Sequence, residues 1–295
     1  MLGKLRLGCP VWACEHWKGG LFTPRATRPE WLSQYSSVFA TVEGNSTFYA
    51  LPNVATAVRW AKSVGPDFRF ALKVPRAISH EARLVHAEAA LERFLEIAEV
   101  LQSHQCLGPS FLQLPPDFSP NERRELESFL RALPVHLCWA VELRHAAWFD
   151  QGTEESWLDD LLASLEIDKV IFDSRPLYSL PPSDEHERVA QQRKPKTPVR
   201  MTVTARHPFL RLIGRNRVDE VQAWIDHWAP TVAQWLINGL EPYVFTHTPD
   251  DAHAPQLARR FHTAVSQVFE SLPPMPAWPG EVAASAQEVQ MRLFD

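Results

Sequence analysis

Two hydrophobic periods alternate along the chain. Short, nearly continuous apolar runs recur as "KLRLGC" (4–9), "FATVE" (39–43), "FRFALKV" (68–74), "PSFLQL" (109–114), "VHLCWAVELR" (135–144), "KVIFD" (169–173), "FLRLIG" (209–214) and "PYVFTHT" (242–248). Such runs predict strands buried on both faces, as in a parallel sheet. Between them lie stretches with apolar residues at helical spacing. These are "PEWLSQYS" (29–36), "NVATAVRWAKSV" (53–64), "RLVHAEAALERFLEIAEVLQ" (83–102), "SPNERRELESFLRAL" (119–133), "EESWLDDLLASLE" (154–166), "VDEVQAWIDHWAPTVAQWLING" (218–239) and "APQLARRFHTAVSQVF" (254–269). Proline opens the first, Asn53 is placed to cap the second, and Ser119-Pro120 opens the fourth.

Eight strands alternating with helices predict an α/β fold, a single (β/α)8 TIM-like barrel. An open doubly wound sheet is the competing arrangement. The barrel domain spans residues 1–270. A proline-rich, charged stretch at about 174–198 is too long for an ordinary loop. It reads as a lid-like insertion or a partly disordered segment before strand seven. Residues 271–295 read as a peripheral C-terminal tail.

Composition fits this picture. The chain has 295 residues with 45% in the hydrophobic set, enough for one large core. Its formal net charge of -5 gives no global attraction to nucleic acid. The N-terminus reads as a strand rather than a signal peptide, and no apolar run reaches bilayer length. Four scattered cysteines, Cys9, Cys14, Cys106 and Cys138, make no disulfide framework. A cytoplasmic protein without membrane association is expected. Cys9, Cys14 and His16 match no strong zinc spacing. With no Walker sequence, dinucleotide fingerprint, HExxH or CxxC, no nucleotide cofactor is expected.

In a barrel of this class, chemistry collects at the C-terminal strand ends. Nearly every predicted strand supplies a polar residue there: Glu43 with Asn45, Lys73, Gln113, Glu142 with Arg144, Asp173, Arg211 and His247. Residues two apart on a strand share a face, so Glu142 lies beside Arg144 and Glu43 beside Asn45. A cation next to an acid lowers its pKa. The same pair also serves as a salt bridge closing the barrel mouth. Lys73 suits anion binding, a Schiff base or an ion pair. The neighbouring acids are expected to raise its pKa, which favours pairing or anion binding over covalent chemistry. The Arg211 fork suits a carboxylate or phosphate. His80 and His145 follow strands three and five closely, and Trp12, Tyr49 and Trp148 are candidate pocket walls.

These residues lie in stretches with a wider likeness. "TVEGNSTFYALP", "WAKSVGPDFRFALKVPRAISH", "LGPSFLQLPPDFS", "WAVELRHAAWF" and "VIFDS", with the less exact "FLRLIGR" and "YVFTHTPDDAHAPQLARRF", resemble the YecE-like family, domain of unknown function 72. The likeness runs from Leu7 to about Phe269. It implies a TIM-like barrel and supplies no reaction. Its signature falls on Glu43, Asn45, Thr47, Phe48, Tyr49, Lys73, His80, Gln113, Glu142, Arg144, Trp148, Asp173, Arg211 and Gly214. The chain departs from the family pattern at "CPVW" after strand one, at Ile213 in place of a histidine, and at Phe245, Thr246 and His247 in strand eight.

The leading functional expectation is an enzyme acting on a small polar, anionic substrate at the barrel mouth. Glu43, Glu142, Asp173 and His247 are its catalytic candidates. Asn45, Tyr49, Lys73, His80, Gln113, Arg144, Trp148 and Arg211 are its binding candidates. A divalent metal held by Glu43, Glu142 and Asp173, with His247 as an optional fourth ligand, is a variant, with hydrolysis, isomerisation and lyase chemistry all open. A non-catalytic small-molecule-binding or regulatory barrel is the first alternative. A nucleic-acid protein is the second, using Arg188, Arg193, Lys194 and Lys196 as a basic patch.

Overall fold

The computed structural model describes residues 2–292. Eight parallel strands form one sheet in the order β3-β2-β1-β8-β7-β6-β5-β4. They are β1 (Arg6–Cys9), β2 (Thr41–Gly44), β3 (Arg69–Leu72), β4 (Ser110–Gln113), β5 (Trp139–Glu142), β6 (Asp168–Asp173), β7 (Phe209–Ile213) and β8 (Tyr243–His247). The two outer strands meet. Phe70 N–H donates to the Cys106 carbonyl, Gly108 N–H to the Phe70 carbonyl and Val74 N–H to the Phe111 carbonyl. The sheet is thereby nearly closed into the expected (β/α)8 barrel.

The helices are α1 (Arg28–Ser36), α2 (Ser46–Tyr49), α3 (Val54–Lys62), α4 (Glu88–Ser103), α5 (Arg123–Arg131), α6 (Thr153–Ser164), α7 (Glu185–Arg193), α8 (Gln222–Ile237), α9 (Ala254–Val268) and α10 (Pro279–Arg292). Asn53 caps α3 as expected, its side chain accepting from Thr56 N–H. α4 starts later than the helical pattern from residue 83 suggests. Arg83, Leu84 and His86 have φ of 49°, 69° and 54°, a left-handed path no helix follows.

The lumen is filled by Ala71, Phe111, Ala140, Val170, Phe209, Tyr243 and Phe245, one apolar layer contributed by six strands. A polar layer lies above it at the C-terminal end.

The 174–198 insertion carries α7, where sequence reading placed no helix. Asp184 caps it by accepting from Glu187 N–H at 2.8 Å. It is clasped to the end of β7, since buried Arg215 donates to Glu187 at 2.7 Å and Asn216 donates to Asp184 at 2.7 Å. The insertion is therefore an ordered wall over the mouth. In the chain's final part, Trp278 is buried with Arg259 stacked 3.5 Å from its ring centroid. Residues 293–295 lie outside the described residues.

Candidate active site at the barrel mouth

Arg211 organises the polar layer. Residues 209, 211 and 213 share one face of β7, and Phe209 is a lumen residue, so Arg211 also faces inward. Its Nε and Nη2 donate to both oxygens of Glu43 at 2.8 and 2.6 Å. Its Nη1 donates to Glu142 from β5. The second Glu142 oxygen accepts from Arg144 Nε at 2.7 Å, and Arg144 Nη2 continues to Gln113 Oε1 at 2.8 Å. Glu43 also accepts from Asn45 Nδ2 at 2.7 Å and lies 3.0 Å from His247 Nε2. Both carboxylates are wholly buried.

Burial works to raise the Glu43 carboxyl. Arg211 and His247 overcome it and hold the group well below the usual range. The same opposition sets Glu142, where Arg211, Arg144 and Lys73 outweigh burial and bring it down to about 2. Both acids are ionised, and every oxygen has a donor. They are poor general bases in this state, because a base must release its partners before it takes a proton. Glu142 and Arg144 are ion-paired at 2.7 Å at the end of β5.

Lys73 stands apart from this network. Its Nζ lies 4.0 Å from the Phe48 ring centroid and makes no ion pair among the described residues. α2 fixes that ring, because Thr47 Oγ1 donates to the Lys73 carbonyl at 2.6 Å. The acids are outweighed at Lys73, so its pKa falls where the sequence suggested a rise. Burial first and the Arg211 charge second lower it to about 7. Glu142 and Glu43 pull the other way, and their effect is largely cancelled by the arginines they bind.

A cavity of about 610 Å³ opens above this layer. Asn45, Tyr49, Lys73, His80, Gln113, Arg144, Arg211 and His247 all reach it. Burial lowers both His80 and His247 to about 4, so both imidazoles are neutral near pH 7. Tyr49 is 79% exposed and also lines a second cavity of about 810 Å³.

Two site candidates are not brought here. Asp173 is buried but turned outward. It accepts from Trp228 Nε1 of α8 at 2.8 Å and from Arg175 at 2.9 and 2.7 Å. Val170 fills the lumen, so the face carrying Asp173 is the opposite one. Trp148 is fully buried, donates to the Phe118 carbonyl at 2.8 Å and stacks near Trp157. It packs in the core and lines none of the mouth cavity. The expected metal ligands do not fit a metal site either. Asp173 faces α8, and the Glu43 and Glu142 oxygens are taken by cationic and amide donors. Among the described residues, no three His, Cys, Asp or Glu side chains are grouped to hold an ion.

Lys194 and Asp251 lie outside the catalytic and substrate-binding candidates, Lys194 having been read only as part of the basic patch. Lys194, carried by the insertion, lines the cavity and is lowered to about 8 by burial and then by Arg211. Asp251, beyond β8, is raised to about 6 by burial, with Lys194 opposing. The basic patch is divided. Arg193 and Lys194 line the cavity, Arg188 pairs with Glu185, and Lys196 sits 4.2 Å from the Tyr178 ring centroid. For Asp251 the available signal was its place just after a barrel strand, in "HTPDDAHAP".

The family model "Protein of unknown function DUF72" matches residues 6–280. The chain belongs to the DUF72 family. It is 37% identical over 263 residues to the UPF0759 protein YecE of Escherichia coli, covering 87% of this chain and 94% of that protein. A solved DUF72 family protein from Enterococcus faecalis superposes with a TM-score of 0.67 at 19% identity, covering 92% of this chain and 99% of that one. Another from Thermotoga maritima gives 0.64 at 22%, covering 89% and 99%. These structures share the DUF72 barrel fold. Among the described residues of this DUF72 chain, no helix is long and apolar enough to cross a membrane.

Proposed function

We propose that this protein is an enzyme acting on a small anionic substrate bound in the mouth cavity. One observation carries the reading. The interior acids Glu43 and Glu142 are consumed by Arg211 and Arg144, while Lys73 and Lys194 face the same cavity without ion pairs among the described residues. Such a site has a surplus of cationic donors over a polar floor, in a partly desolvated space where charge attraction is strong. Lys73, Lys194 and Asp251 all titrate within reach of neutrality, which suits proton transfer. In this reading Lys194 and Arg144 hold the anion, Lys73 is the reactive or proton-transferring group, and Glu43 and Glu142 position Arg211.

The complete pairing of Glu43 and Glu142 favours a second reading, a non-catalytic barrel that binds the same anion. Asp251, an acid with no ion-pair partner among the described residues, weighs for the enzyme.

Calorimetric titration with orthophosphate, pyruvate and phosphorylated small metabolites, each beside a neutral analogue, tests the site. The expected result is a preference for the anions that weakens with salt and falls at least tenfold in Lys194→Ala and Arg144→Ala. Equal binding of anions and neutral analogues would sink the reading. Binding unchanged in both variants would move the site elsewhere.

A further inference from the structure

The chemistry open to Lys73 can be narrowed from its surroundings, given the anionic-substrate reading above. Its Nζ rests on the Phe48 ring face, with Phe111 6.0 Å away on its other neighbour β4. The charged groups that act on it are Arg211 from β7, Glu142 and Arg144 from β5 and Glu43 from β2. The two acids are already bound by the two arginines. Beyond β3, the neutral His80 packs against Phe48 at 5.1 Å, and its Nδ1 lies 2.8 Å from Ser79 Oγ. The amine is thus surrounded by aromatic faces, bound guanidinium groups and a neutral imidazole. Neither Glu43 nor Glu142 is free to pair with the amine, and the Phe48 face is the neighbour that favours its ammonium form.

An amine in this setting has a lone pair available near neutral pH and an open cavity in front of it. A lysine made nucleophilic by a dry, cationic pocket is suited to carbonyl addition. We propose that Lys73 forms a Schiff base with the carbonyl carbon of a small aldehyde or ketone that also carries an anionic group.

The step balances without an oxidant or reductant. The Lys73 lone pair attacks the carbonyl carbon, and the C=O π pair moves to oxygen, which takes a proton. The nitrogen loses a proton, giving a neutral carbinolamine. That hydroxyl is then protonated and leaves as water while the nitrogen lone pair forms C=N, and the resulting iminium releases its remaining N–H proton. Amine and carbonyl yield imine and water. His80 and Asp251 line the same cavity as candidates to pass these protons. Lys194 and Arg144 hold the substrate's anionic group.

Borohydride trapping on the intact chain tests this. The protein is incubated separately with glyoxylate, pyruvate and dihydroxyacetone phosphate, reduced with sodium borohydride, weighed by mass spectrometry and mapped by peptide. The expected result is a reduced secondary amine on Lys73 with at least one probe, lost in Lys73→Arg and retained in Arg188→Ala. Orthophosphate binding is measured in parallel on the same protein. Phosphate binding without any Lys73 adduct overturns the Schiff base and leaves the anion site standing. Adducts spread over exposed lysines at equal yield overturn it as well. An absence of both binding and adduct removes the proposed function together with this inference. Should Lys73→Arg not fold, the peptide map of the unmodified sequence decides alone.

Discussion

The ends of β5 and β6 carry the same sequence figure, an acid followed two residues later by arginine. Glu142 and Arg144 end an apolar run, and so do Asp173 and Arg175. Their fates differ. Glu142 faces the lumen and joins Arg211 above the apolar plug, whereas Asp173 faces outward and holds Trp228 of α8. One positional step separates them. Ala140 fills the lumen on β5, so the even positions of that strand point inward. On β6 Val170 does so, and the odd position 173 points out. A charged residue at a barrel strand end belongs to the mouth only if it shares parity with the lumen residues below it.

The largest effect should come from removing Arg211, which serves the inward system. Arg211→Met leaves two buried carboxylates without their shared cation, and unfolding free energy in urea should fall by about 3–5 kcal/mol. A loss under 1 kcal/mol would mean the two acids are not held ionised by this residue.

Next is a slope rather than a step. Folding lowers Lys73 from the ordinary lysine value of 10.5 to about 7, so the unfolded chain binds more protons between those values. Stability therefore rises with pH through that window, by at most about 1.4 kcal/mol per pH unit from this group. Below about pH 7 the penalty is complete. Lys73→Met should be more stable than the parent at neutral pH, and the gap should close toward pH 10.5. A gap independent of pH would contradict a depressed Lys73.

On the outward system, Asp173→Ala strands the Trp228 indole N–H and should cost about 1–3 kcal/mol, measured in the same urea series. It should leave anion affinity at the mouth unchanged, and a large loss of affinity would erase the distinction between the two strand ends. The smallest effect is expected at Tyr49. It is mostly exposed, so Tyr49→Ala should change stability by less than about 0.5 kcal/mol, while weakening any ligand that spans both cavities it lines.

The barrel was legible because parallel strands buried on both faces read as unbroken apolar runs. That same evenness hid the parity. "KVIFD" has no polar alternation to say which face looks inward, so Asp173 was grouped with Glu142. Trp148 misled for a related reason, since an indole beside a strand end serves the core and a pocket wall equally well in sequence. The direction of the Lys73 shift depended on how the charges pair. Counting acids near it suggested a raised pKa, but each acid was already neutralised by an arginine from another strand. Lys194 lies outside the strands, and its arrival at the mouth depends on how α7 is clasped to Arg215 and Asn216, whereas Asp251 follows β8 directly. Nothing periodic in the insertion announces that clasp.

Arg211 joins three strands that are far apart in the chain through one guanidinium. No single replacement at position 43, 142 or 211 leaves the other two satisfied, whereas exchanging the whole set for apolar residues removes the buried charges together. For evolution this means that the three positions form one heritable unit. A lineage can keep the trio or give up all of it, and the intermediates are the unfit genotypes between those two states.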